Sequence, residues 1–257
     1  MFVDVNAEGL KAFTLKEVKR FWSVLGQTVT APVMTALLYL LVFGQVMQDR
    51  VEVYPGVGYT QFLVPGLIMM SVIQNAFANS SSSLTQAKIM GNLVFVLMAP
   101  LAAWELFVAF VGASLLRSAI CSVVLYCATW PFVHLPVHSF ATLLGMFVLA
   151  GGSLAVVGII AGILATKFDH LASFQNFLIL PASFLSGVFY SIHSLPEFWA
   201  QVSHYNPFFY MIDGFRHGFL GVGDAPLWLC FAWTGGLFVA LSTACLWMLT
   251  TGYRLRP

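Results

Sequence analysis

Six long apolar stretches dominate the chain, at residues 24–46, 62–80, 104–130, 139–165, 171–190 and 227–250. Each is near or above the roughly 20 apolar residues that carry an α-helix across a bilayer. They are too long and too continuous for transmembrane β-strands, which alternate over about ten residues. The pattern predicts an all-α integral membrane protein with six transmembrane helices. Ahead of the first span, residues 8–23 follow the helical period: Leu10, Phe13, Val18, Phe21 and Trp22 share one face, and Lys16, Lys19 and Arg20 another. This predicts an amphipathic interfacial helix, apolar side down in the headgroup region and cations toward anionic lipid.

Six crossings put both termini on one side. With that side cytoplasmic, Lys11, Lys16, Lys19, Arg20, Lys88, Lys167, Arg254 and Arg256 lie inside, against Arg50 and Arg216 outside. The excess of inner cations is what the positive-inside rule requires. Between the second and third spans, residues 80–103 read as a cytoplasmic coupling segment, with a short helix around 84–90 that ends near Gly91 and an apolar return at Pro100. Residues 191–226 are rich in aromatics and lie outside. There Asn206 and Pro207 form a helix-start pair, Asn as N-cap and Pro at the first helical position, and Gly221 suits the position just past the helix end. A helix over 208–220 is about 20 Å long and too short to cross. With a second short helix over 195–205, it predicts two re-entrant outer helices that dip into the outer leaflet and return.

Composition sharpens this picture. Of 257 residues, 60% are hydrophobic and only 8% charged, with mean hydropathy +0.88. A soluble domain carries about 25% charged residues, so a soluble enzyme is excluded. Net charge is +1, which leaves no basic field to hold nucleic acid. The first twenty residues have no uncharged apolar core, so no signal peptide is expected. Cys121, Cys127, Cys230 and Cys245 sit in apolar stretches without metal-ligand spacing and read as packing residues.

Little in the chain points to chemistry of its own. No lysine follows a glycine, so the phosphate-cradling loop of ATPases is missing. The histidines map to loops or outer helices, and Pro136 separates His134 from His138, so neither intramembrane hydrolysis nor a metal site is expected. No carboxylate lies near a span centre, as ion coupling would demand; Glu105 stands at the inner end of the third span. Arg117 is the one deep charge, at a cost of roughly 2.5–3.5 kcal/mol at mid-membrane. It faces a polar path or a partner carbonyl, or is a structural charge capped by its neighbours. Gly158 and Gly162 form a GxxxG pair that serves either intrachain packing or a dimer seam. Pro181 should kink the fifth span. Phe184, Phe189 and Tyr190 offer an aromatic wall, and Asp213 with Arg216 an i,i+3 pair on a helix surface, useful for orientation more than for energy.

From Pro181 the chain reads PASFLSGVFYSIHSLPEFWAQVSHYNPFFYMIDGFRHGFLG. This resembles the signature region of ABC-2-type permeases, the membrane subunits of bacterial ABC exporters with a type V fold. The matching parts are Phe184-Leu185-Ser186-Gly187, Leu195-Pro196, Asn206-Pro207, Tyr210, Asp213, Arg216 and Leu220-Gly221. Upstream, Phe62-Leu63-Val64-Pro65-Gly66-Leu67 and Ala99-Pro100-Leu101 match as well, so the resemblance covers nearly the whole chain. One departure is Gly91-Asn92-Leu93-Val94-Phe95, where relatives often carry a charged run.

The resemblance implies a single ABC-2-type transmembrane domain in the bacterial inner membrane that pairs with a second copy. Two copies of a separate ATPase subunit dock underneath and bring ATP and Mg; this chain itself needs no cofactor. Leu84, Gln86, Lys88, Met90 and Gly91 would couple to the ATPase. Pro181, Phe184, Ser186, Gly187, Phe189 and Tyr190 would form gate and path for a drug, a lipid or a glycan-linked lipid. Asn206, Pro207, Tyr210, Asp213 and Arg216 would form the outer re-entrant motif. The competing readings are a membrane scaffold, a lipid-modifying enzyme using Asp213, Arg216, His217 and His204, or an ion-coupled secondary transporter.

Overall fold

A computed structural model describes residues 6–47, 52–98 and 101–254. Arg50, Ala99, Pro100 and Arg256, which entered the charge count and the motif match, lie outside the described residues. The elements run in chain order. Helix α1 (Ala7–Trp22) leads into α2 (Leu25–Tyr39), which passes through a π-helical turn (Leu40–Gly44) into α3 (Gln45–Met47). A small hairpin of β1 (Glu52–Tyr54) and β2 (Val57–Gly58) pairs Tyr54 with Val57 across a turn at Gly56. Then come α4 (Tyr59–Ile89), α5 (Leu93–Met98), α6 (Ala103–Thr129) and α7 (Phe140–Leu164). Helix α8 (Phe168–Phe174) continues through a second π turn (Gln175–Ile179) into α9 (Leu180–Phe184). A 3-10 turn (Ile192–Ser194), α10 (Glu197–Tyr205), α11 (Pro207–Leu220) and α12 (Leu227–Thr251) complete the chain.

Five helical stretches among the described residues are long and apolar enough to cross a membrane: Leu25–Gly44, Tyr59–Ile89, Ala103–Thr129, Phe140–Leu164 and Leu227–Thr251. The core is α4, which α6, α7 and α11 surround. Gly158 and Gly162 of α7 allow the closest approach. A Cβ at Gly158 would meet the Phe77 carbonyl oxygen at 2.6 Å, and one at Gly162 would meet Leu84 Cβ at 3.0 Å. The GxxxG pair therefore serves packing within the chain. By contrast, α2 and its π turn together bury only Ala36, Leu40 and Gly44, and expose Met34, Leu38, Leu41 and Val42. An apolar helix left bare in this way needs lipid or another protein around it.

Two expected elements differ. The fifth span, expected as one helix over 171–190, is instead a helical run from Phe168 to Phe184 with the π turn inside it, followed by an irregular return with Gly187 at φ +74°. Pro181 explains the break. It donates no backbone hydrogen bond and its ring crowds the carbonyl four residues back, so the hydrogen-bond register widens just before it. The second span does not end at Ser80, and residues 84–90 are not a separate helix; the short helix of this segment is α5 instead. Helix α4 runs unbroken to Ile89, because its serines bond inward: Ser81 Oγ donates to the Phe77 carbonyl at 2.7 Å and the Ser80 and Ser114 hydroxyls hydrogen-bond each other at 2.6 Å. A polar run that reads as a connector is thus the helix's own packed surface. The chain leaves α4 at Gly91, at φ +71°, close to the expected stop.

Candidate functional site

Three groups of side chains carry the polar and aromatic chemistry of the bundle. The first lies at the hairpin end. Asn206 caps α11 by accepting from the Phe208 amide at 3.0 Å, Pro207 takes the first helical position, and Gly221 ends the helix at φ +74°. This fixes Asp213 and Arg216 one turn apart on a helix held inside the bundle. Both are buried, at 0% and 1% exposure, which corrects the expectation of a pair on the helix surface. Arg216 Nη1 donates to Asp213 Oδ1 at 3.3 Å, Nη2 to the Gly187 carbonyl at 2.8 Å and Nε to the Phe62 carbonyl at 3.4 Å; its guanidinium also lies 3.7 Å from the Phe62 ring centroid. Asp213 further accepts from the amides of Asp224 at 3.0 Å and Ala225 at 2.9 Å.

Asp224, a charge of the outer segment that was not among the expected site residues, extends this network. Its carboxylate accepts from Tyr54 Oη and Ser191 Oγ, each at 2.7 Å, and from the Ile192 amide at 2.8 Å, with His193 Nδ1 at 3.3 Å. Burial pushes its pKa up, but the Ser191, Tyr54 and Ile192 donors and the Arg216 charge more than offset this, so the carboxyl stays below its usual value. Burial raises the Tyr54 phenol, against the lowering effect of Arg216, so Tyr54 remains a donor. The lipid-modifying reading needed Asp213 and Arg216 open to a substrate; both are closed in by protein.

The second group is aromatic. Phe184 and Phe189 stack with ring centroids 5.4 Å apart, and Tyr39 and Phe43 of the first span each close on Phe189 at 5.2 Å. Tyr190 donates from Oη to the Phe184 carbonyl at 3.2 Å. Ser186 Oγ donates to the Ser183 carbonyl, and Gly187 supplies its carbonyl to Arg216. Asn206 Nδ2 donates to the Ala182 carbonyl at 2.6 Å and Tyr210 Oη to the His204 carbonyl at 3.0 Å. The structure thus joins the expected gate and outer-motif residues into one body. Tyr39 and Phe43 were missed; their aromatic character was visible, their partner in space was not. Tyr59, at the start of α4, donates to the Phe189 carbonyl at 3.0 Å.

The third group lies at the α1 end. The face of α1 turned into the bundle is Phe13, Glu17 and Phe21, all buried, while Trp22 is 62% exposed. Glu17 Oε2 accepts from Ser83 Oγ at 2.7 Å and Arg20 Nε at 3.2 Å, and Oε1 from Lys16 Nζ at 3.1 Å. Arg20 Nη2 donates to Asn79 Oδ1 and to the Asn79 carbonyl, each at 2.9 Å. Arg117 Nη1 reaches the same Asn79 Oδ1 at 3.5 Å. Glu105 receives the amides of Asn6 and Ala102 and so ties the start of α1 to the start of α6.

The five residues expected to couple to an ATPase divide. Leu84 is buried against Gly162, and Lys88 donates to the carbonyls of Ile163 and Ala165 at the end of α7. A cation there completes the α7 C-terminus. Gln86 is half-buried, while Met90 and Gly91 are exposed beside Ile89, Val94, Phe95 and Met98.

A model of the ABC-2 type transporter family matches residues 8–220, which takes in most of all three groups, with Asn6, Asp224 and Ala225 just beyond it. The chain is 38% identical over 247 residues, 96% of each chain, to the inner membrane transport permease YadH of Escherichia coli K12. It is 28% identical over 197 residues, 72% of each chain, to nodulation protein J of Rhizobium leguminosarum bv. viciae. It is also 24% identical over 160 residues to the probable multidrug ABC transporter permease YbhR of Escherichia coli K12, covering 62% of this chain and 44% of that one. A match over most of the chain, carried through the capped α11 and the buried pair it positions, makes this protein a member of the ABC-2 type transporter family.

Proposed function

We propose that the chain is the permease subunit of an ATP-driven exporter in a bacterial inner membrane, with both termini cytoplasmic. It pairs with a second copy and with two copies of a separate ATPase subunit that holds ATP and Mg. The observation that carries this reading is the unbroken α4. At 1.5 Å per residue its 31 residues span about 46 Å. One end is the exposed apolar tip of Ile89, Met90, Phe95 and Met98. The other bonds the aromatic wall through Tyr59 and Phe189. A partner that pushes on the tip moves the wall through a rigid rod. The wall itself joins two helical runs that each carry a π turn, the kind of local irregularity that marks functional positions in helices. Phe184, Phe189, Tyr39 and Phe43 suit a hydrophobic or amphipathic cargo, and the bare apolar surface of α2 accepts the second copy. The relatives named for inner membrane transport and for multidrug transport are in keeping with this reading.

The test is reconstitution with the ATPase encoded beside this chain's gene. A complex should co-purify, its ATP hydrolysis should exceed that of the ATPase alone, and cargo should cross sealed vesicles only with ATP. No complex and no stimulation, or cargo movement that stops when an ionophore collapses ion gradients while ATP is present, overturns the proposal.

A further inference from the structure

The α1 end holds more positive than negative charge. Lys16 and Arg20 share the carboxylate of Glu17 with Ser83, and Arg117 joins Arg20 at Asn79 with no carboxylate of its own among the described contacts. The guanidinium groups of Arg20 and Arg117 converge on one neutral acceptor, Asn79 Oδ1. That amide is otherwise engaged, with its Nδ2 donating to Ser114 at 3.0 Å. Arg117 keeps a buried Nε with no hydrogen-bond partner among the described residues. Two like charges drawn together on a dipole, one with an orphan donor, cost free energy that an anion would recover.

The depth of the junction narrows the anion. Since Arg20 of α1 and Arg117 of α6 reach the same side chain of α4, the Arg117 guanidinium lies at the level of the last turn of α1. Helix α1 seats Phe13 and Phe21 in the bundle and leaves Lys11, Lys19 and Trp22 exposed beside the entry to α2, the cations and the tryptophan being the residues that favour a headgroup region. An arginine at that level meets the phosphates of the adjoining leaflet, and its planar fork matches a phosphate's oxygens. We infer that Arg117 and Arg20, with Ser82 beside them, form a binding site for the phosphate group of an anionic phospholipid from the leaflet in which α1 lies. Ser82 supports the same placement, since its hydroxyl takes Arg20 Nη1 at 3.3 Å and keeps that guanidinium turned toward α4. The site requires only that the chain sits in a membrane, so it stands or falls apart from the transport reading.

Native mass spectrometry of the detergent-purified chain tests this without ATPase or cargo. Phosphatidylglycerol is titrated against an uncharged galactolipid of the same acyl chains. The wild type should retain phosphatidylglycerol in preference. Arg117→Gln should weaken that binding by about tenfold, the scale of one charge-assisted contact, and leave the galactolipid unaffected. Arg117→Lys, which keeps the charge but loses the fork, should fall between. Excess glycerol phosphate distinguishes the source: phosphatidylglycerol that stays bound marks a lipid site, while displacement marks a site for soluble phosphate esters and overturns the lipid assignment. Equal retention of the two lipids by the wild type, or unchanged phosphatidylglycerol binding by a folded Arg117→Gln protein, overturns the anion site altogether.

Discussion

The two ends of the bundle solve the burial of charge in opposite ways. At the hairpin end, Asp213 and Arg216 face each other and four backbone groups complete their shells, the carbonyls of Phe62 and Gly187 and the amides of Asp224 and Ala225. Asp224 is closed in similarly by Tyr54, Ser191 and Ile192. At the α1 end, one carboxylate serves two cations and a hydroxyl, and a third cation leans on an amide. The first arrangement ties four separate stretches of chain together and leaves no buried charge open. The second ties one surface helix to the bundle and leaves positive charge unspent. A satisfied buried network fixes one structure, whereas an unsatisfied one invites a ligand or a second state. The contrast assigns rigidity to the hairpin end and responsiveness to the α1 end.

The contrast breaks most decisively at Asp213 and Arg216. Asp213→Ala leaves Arg216 buried without its counter-ion, and Arg216→Ala strands Asp213 and frees the Gly187 and Phe62 carbonyls. Each should cost about 3–5 kcal/mol, the scale for breaking a buried pair from one side. Thermal unfolding in detergent, followed by size exclusion, should show a large fall in midpoint or failure to accumulate. A next, smaller effect belongs to Glu17→Ala. It removes the acceptor for Lys16, Arg20 and Ser83 but touches only the seating of α1, at about 1–3 kcal/mol. Limited trypsin digestion at Lys16, Lys19 and Arg20 should accelerate while the melting of the remaining bundle barely moves, because α1 opens as a local unit. If both substitutions lower the global midpoint equally, the two ends do not differ in kind.

What the sequence disclosed depended on range. The cap pair Asn206-Pro207 and the stop at Gly221 act over a few residues, and α11 begins and ends where they require. Pro181 likewise acts locally, and the helix widens into its π turn just before it. The polar run 80–83 misled because a serine hydroxyl facing solvent and one bonded inside a helix look alike in a sequence. Glu17 did leave a trace: it stands four residues from both Phe13 and Phe21, in the middle of the buried face of α1. A carboxylate there signals a partner on whatever that face touches. Asp224 left none, since Tyr54 is 170 residues away and the two meet only when the bundle closes. The burial of Asp213 and Arg216 was hidden for the same reason. An i,i+3 pair is written identically whether its helix lies on a surface or between four others.

The smallest effect probes how far the hairpin end is closed. Tyr54→Phe deletes one donor to Asp224 and leaves Ser191 and the Ile192 amide in place. The loss near neutral pH should be about 1 kcal/mol. Its sign against pH follows from the depressed carboxyl of Asp224. A group whose folded pKa lies below its unfolded value stabilises the fold above the unfolded value, 3.8, and loses that contribution as pH falls through the folded one. Removing the phenol raises the folded value toward 3.8, so both proteins should begin to lose stability near the unfolded value, the variant should stop losing it at a higher pH than the wild type, and the two should converge once Asp224 is protonated in both. Thermal midpoints measured at closely spaced pH values below neutrality read this directly. Superimposed curves, with no gap at any pH, would mean that Tyr54 supports the hairpin by ring packing on Phe62 alone and that Asp224 is held by its other donors.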